Sequence, residues 1–184
     1  MTKKVKWIVG ICVAVVAILI AVIVPISLSA VKSNNAAKDA ANSQALRLQA
    51  YEEVKDLPQN TVEDKIKVRL IKAWADWQPD YEGWIEWSNS LYASDAVIDA
   101  IGGEQSFAEY QKSMKTQREK SKMAMGPIWD DMSIDGYVAT LHYHMYLTSG
   151  NKTQDVIVTE INKFEEIDGV LMVVRLDLST KRAK

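Results

Sequence analysis

The sequence predicts an α+β domain in which a curved antiparallel sheet packs as a cone against three helices, preceded by one transmembrane helix. Three observations lead there. Residues 7–26 are twenty consecutive residues without a charge. Between residue 61 and about residue 122, apolar residues recur at helical spacing, interrupted by one short strand-like run. Beyond residue 127 the apolar period drops to two, and glycine-containing turn signals separate the runs. Helices followed by a long meander make an α+β domain, and a curved sheet wrapped against helices encloses an apolar interior.

The first element is the charge-free run. Twenty residues at about 1.5 Å each give a helix of roughly 30 Å, the thickness of a bilayer's hydrocarbon core. Backbone groups there are satisfied only by a helix or a closed barrel, and one isolated run means a helix. Lys3, Lys4 and Lys6 precede it and Trp7 stands at the interface position. Pro25 falls near the far end, where a lost backbone hydrogen bond costs least. The cationic cluster assigns residues 1–6 to the cytoplasm, residues 7–28 to the cell membrane as a single pass, and the remainder to the extracytoplasmic side. The rival is a cleaved signal peptide with small residues at Ser27-Leu28-Ser29-Ala30, but such a signal has an apolar core of about 7–15 residues.

The chain's averages hide this division. Its 184 residues carry 22 Lys+Arg against 24 Asp+Glu. The first thirty hold three lysines and no acid, so the rest has 19 basic and 24 acidic residues, a net of -5. A nucleic-acid partner recognised through basic surface is disfavoured. The single cysteine, Cys12, lies in the apolar run, so the domain has no disulfide framework, cysteine metal set or thiol nucleophile. No cofactor is implied.

Residues 29–60 read as a polar helical stalk, with Ala37, Ala41, Ala45 and Leu48 as one thin stripe and Leu57-Pro58-Gln59-Asn60 as its end. The domain proper spans residues 61–180, with a tail at 181–184. Thr61-Val62-Glu63-Asp64 has the form of a capping box and opens a helix to about residue 78. Val62, Ile66, Leu70, Trp74 and Trp77 share its apolar face, and Pro79-Asp80 stops it. A second helix, 81–92, carries Trp84, Trp87 and Leu91 at helical spacing. Residues 96–101 read as a short strand closed by Gly102-Gly103. A third helix, 105–122, sets Phe107, Tyr110 and Met114 against a charged face that reads as solvated. Strands follow at 127–133, 137–148, 154–165 and 170–179, separated by Asp135-Gly136, Ser149-Gly150-Asn151 and Asp168-Gly169.

That order of elements, with Leu91-Tyr92-Ala93-Ser94-Asp95-Ala96 running into Val97-Ile98-Asp99-Ala100-Ile101-Gly102-Gly103, resembles the nuclear transport factor 2-like superfamily. The superfamily includes SnoaL-like polyketide cyclases and ketosteroid isomerases. The resemblance covers residues 61–180 and implies a cone-shaped domain, a pocket between helices and sheet, and frequent dimerisation through the sheet. It implies no single activity, because one fold hosts enzymes, carriers and scaffolds. Isomerases of this kind need a carboxylate base and acidic hydrogen-bond donors to the developing oxyanion. The base position is matched by Ala100, which cannot take a proton, and period-2 alternation turns Asp99 to the opposite face. The acidic donor is matched by Asn162, and no tyrosine stands near Asp76 and Trp77, where the family's phenol donor falls.

Other relatives use a histidine–carboxylate pair. His142 and His144 share one face of the 137–148 strand with Thr140 and Tyr146. The opposite row, Ala139, Leu141, Tyr143, Met145 and Leu147, is apolar and is the predicted core row. The histidines are therefore expected on the outer face or at a dimer contact. The alternative is acid–base work oriented by Asp177 or Glu160. A metal site lacks a third ligand at any recognisable spacing. Trp74, Trp77, Trp84 and Trp87 are expected to pack the helices over the sheet or, with Asn162, to line a pocket for a flat apolar ligand.

Three functions follow. The leading one is a membrane-anchored, extracytoplasmic and non-catalytic module for protein interaction or assembly, with a protein partner or a second copy of the chain. The alternative is binding of a small apolar ligand in the cone. The third is a cyclase- or dehydratase-type enzyme, which gains little from a tether if its substrate is soluble.

Overall fold

The computed structural model of the chain describes residues 29–126 and 132–183, with side chains from residue 35 onward. The expected anchor, residues 7–28, lies outside the described residues, and no helix among those described is long and apolar enough to cross a membrane.

Helix α1, Ser29–Val54, is followed by α2, Val62–Asp76. At the start of α2 the Thr61 hydroxyl accepts from the Asp64 amide while the Asp64 carboxylate accepts from the Thr61 amide, so the expected capping box is formed. Asp80 caps α3, Tyr81–Leu91, by accepting from the Gly83 amide. The chain then passes directly into β1, Tyr92–Ala100, and turns through Gly102 and Gly103, both at positive φ, into the short edge strand β2, Gly103–Ser106. A second capping box, Ser106 with Glu109, opens α4, Phe107–Lys120. Five strands complete the domain: β3, Lys122–Met125; β4, Met132–Asp135; β5, Val138–Ser149; β6, Lys152–Ile167; and β7, Val170–Arg182. Asp168 and Gly169 join β6 to β7, with φ of 51° and 78°, the two positive values that match a hairpin turn to strand twist.

The sheet order is β2-β1-β7-β6-β5-β3, with β4 also paired to β5. It is mixed rather than wholly antiparallel, because β1 runs parallel to β7. No tight turn links those two strands, so nothing forces them to run in opposite directions. The first strand also begins earlier than expected, at Tyr92. Strand β2 escapes the pattern because Gly-Glu-Gln-Ser has no apolar alternation. The third predicted helix stops at Lys120, and Lys122 belongs to β3. Of the strand expected at 127–133, residues 127–131 lie outside the described residues and Met132 and Ser133 open β4.

The described domain packs four helices rather than three, because α1 does not stand clear as a stalk. Ala36, Ser43, Arg47, Ala50 and Val54 form its buried stripe against α2, β3, β5 and β6. Ala37, Ala41, Ala45 and Leu48, the expected stripe, are all exposed. The buried stripe contains Arg47 and Ser43, so it carries no apolar signature. Arg47 donates from Nε to the Trp74 carbonyl at 2.7 Å and from Nη1 to the Met125 carbonyl, bonding α1 to the end of α2 and the end of β3.

Inside the cone lie Ala139, Leu141 and Tyr143 of β5, Val158 and Phe164 of β6, and Val173 and Leu176 of β7, facing Ile66, Leu70, Trp74, Trp87 and Leu91 of the helices. The predicted core row of β5 is correct through Tyr143, and Met145 and Leu147 pack against the same cluster.

Candidate functional site

At one end of the sheet the core gives way to a cavity of about 270 Å³. That lies just under the roughly 300 Å³ at which ordinary ligand pockets begin. Helix α4 presents Tyr110, Ser113, Met114 and Gln117 to it, a single face at i, i+3, i+4 and i+7. From the sheet come Met123, Met145, Leu147, Gln154, Val156, Leu178 and Thr180, and Ala100 and Ile101 close the side toward β2. Met114 and Met123 are buried, while Lys181 and Arg182 at the end of β7 are exposed. The cavity is thus apolar at depth and polar at its rim. Among the described residues its only charged lining residues are these two cations, and no Asp, Glu or His lines it.

Beside the cavity, within the cone, a carboxylate is buried. Glu160 is 4% exposed, and Tyr143 Oη donates to its Oε1 at 2.6 Å while Asn162 Nδ2 donates to Oε2 at 3.4 Å. Burial pushes the Glu160 carboxyl up to about 7, against the two hydrogen bonds, which favour its charged form. The Tyr143 and Tyr92 phenols are pushed well up by burial and then by the charge of Glu160, and Tyr110 is raised by the same two causes. Asn162 Oδ1 and Trp74 Nε1 are buried without a hydrogen-bond partner among the described residues. Glu160 does not line the cavity; Tyr110, which feels its charge, does.

Of the two roles expected for the four tryptophans, packing of the helices and lining of a pocket, they take the first. Trp74 meets Trp87 edge-on at 5.6 Å and Tyr143 at 5.7 Å, and Trp84 meets Tyr110 at 5.9 Å. Trp77 is held between Arg47 and Arg118, whose guanidinium carbons lie 5.2 and 5.1 Å from its ring centre. None of the four lines the cavity, because the i, i+3 spacing that groups them also aims them at the sheet. Asn162 points into the cone but reaches Glu160, not the cavity.

His142 and His144 occupy the other side of the sheet from Tyr143. His142 Nδ1 is hydrogen-bonded to Thr159 Oγ1 at 2.9 Å, and His144 Nδ1 to Asp155 Oδ1 at 2.7 Å. Asp177 accepts from Arg175 Nε at 2.9 Å on that same outer face. Neither histidine is bonded to Glu160 or Asp177, the carboxylates expected to orient them; the carboxylate bonded to a histidine is Asp155, on the outer face. Asp99 is likewise turned outward, with Arg175 at 3.6 Å, while Ala100 faces the cavity.

Glu160 had a visible signal that the histidines obscured: it stands two residues before Asn162 and so shares its inward face. The polar lining from Ser113 and Gln117 had none.

No protein-family model matches the chain, and no curated protein matches it. Among solved structures the chain is similar to a candidate calcium/calmodulin dependent protein kinase II association domain from Xanthomonas campestris, at 18% identity over 68% of this chain and 91% of that one, with a TM-score of 0.48. It is similar to a candidate polyketide cyclase from Sinorhizobium meliloti, at 17% identity over 68% and 98%, with a TM-score of 0.43. It is also similar to an NTF2-like protein of unknown function from Pseudomonas putida, at 18% identity over 64% and 84%, with a TM-score of 0.43.

Proposed function

We propose that the chain is a non-catalytic binding protein, anchored in the cell membrane by residues 7–28, whose extracytoplasmic domain takes a small apolar ligand into the cone. The observation that carries this reading is the lining of the cavity: three methionines and five aliphatic side chains, with no carboxylate, imidazole or thiol among the described residues there to transfer a proton or attack a substrate. Methionines adapt their shape to what they enclose, which suits a site that binds without doing chemistry. The anchor and its orientation rest on the charge-free run and the three lysines before it. The test is displacement of a fluorescent apolar dye from the purified protein. Met145→Trp, which fills the cavity from β5, should weaken dye binding at least tenfold while the melting temperature is kept. Equal dye binding by both proteins would remove the reading.

The outer sheet face supports a second role in protein contact. Val97, Val138 and Ile161 are exposed there, among Thr159, His142 and Asp177. Sedimentation of the domain should give a dimer that Ile161→Lys converts to monomer; a wild-type monomer at every concentration would contradict self-association through this face.

A further inference from the structure

Resting on the cavity reading above, we propose that the ligand is an amphipathic anion: an apolar body seated among Met114, Met123 and Met145, with a negatively charged head group at the rim held by Arg182. The charges at the site are one-sided. Both charged lining residues are cations, in a domain whose overall balance is acidic. Neither has an ion-pair partner among the described residues, whereas Arg175, on the same strand, is surrounded by Asp99, Glu104 and Asp177. Position fits as well. Arg182 pairs across the sheet with Val156, a lining residue, so alternation turns it to the cavity side with Thr180. Arg182 therefore stands at the mouth, whereas Lys181, opposite Ile157, turns its side chain to the outer face; with the methionines at the depth, this is the polarity of an amphiphile entering tail first.

The test compares decanoate and decyl phosphate with decanol, each titrated into the full-length protein by dye displacement. Both anions should bind about tenfold more tightly than the uncharged alcohol, and Arg182→Gln should lose that advantage while holding decanol unchanged. An advantage for only one of the anions also supports the proposal and names its head group. If decanol equals both anions in the wild type, or if Arg182→Gln keeps the advantage, the head-group assignment is overturned while the cavity reading stands. If none of the three displaces the dye, and the dye itself binds Met145→Trp as well as wild type, both fall together.

Discussion

Glu160 is a single carboxyl whose surroundings set a pH dependence for the whole domain. Its value rises from the ordinary 4.5 to about 7 because it is buried, with, among the described residues, Tyr143 and Asn162 bonding it and the Tyr92 and Tyr110 phenols as its other titratable neighbours. A carboxyl raised on folding favours the folded state while it stays protonated. That contribution is complete below about pH 4.5 and is lost as pH rises through about 7, an effect on the order of 3 kcal/mol. Urea unfolding across pH 4.5 to 8 should therefore show stability falling in that window in the wild type. Glu160→Gln, which cannot ionise, should flatten the curve, and a wild-type curve already flat there would contradict the account. Tyr143→Phe should steepen the fall, since it removes the hydrogen bond that best supports the ionised carboxylate.

The same logic at the scale of an element makes α1 part of the fold. Arg47 is buried, its guanidinium is brought down to about 10 by burial, and it satisfies carbonyls at the ends of two other elements. Arg47→Met should cost about 2 kcal/mol in urea unfolding, because it strands the Trp74 and Met125 carbonyls in the interior. Leu48→Ala, on the exposed stripe, should stay within about 0.5 kcal/mol. The contrast shows what sequence could and could not reveal. Helices α2 and α3 were legible because Ile66, Leu70, Trp74, Trp84 and Trp87 repeat at one period and Thr61 and Pro79 mark the ends. The inward row of β5 was legible because Tyr143 alternates with His142. The packing of α1 was not, since its attachment is made by an arginine and a serine, which read as surface. The cavity was half legible: Met145 and Leu147 continue the core row, but nothing in their alternation says that the core stops short and leaves space above them.

At the scale of the molecule, an acidic domain carrying -5 follows an apolar run flanked by lysines. The full chain should remain with membranes after alkaline extraction, while residues 29–184 expressed alone should not. Protease added to intact cells should digest the domain; protection of the domain until the cells are lysed would reverse the proposed orientation. Synthesis order adds one more consequence, and it comes from the parallel pairing of β1 with β7. Val97 lies beside Arg175, and Ile98 beside Leu176, so the strand that follows α3 waits for a partner near the end of the described chain. Contacts so far apart in sequence make closure slow. A nascent chain that has already built α2 and α3 cannot close the sheet beneath Trp74, Trp87 and Tyr92 until β7 has emerged. During that interval its largest aromatic surface is open to chaperones and to other unfinished copies. The timing of one strand therefore governs how long the chain is vulnerable.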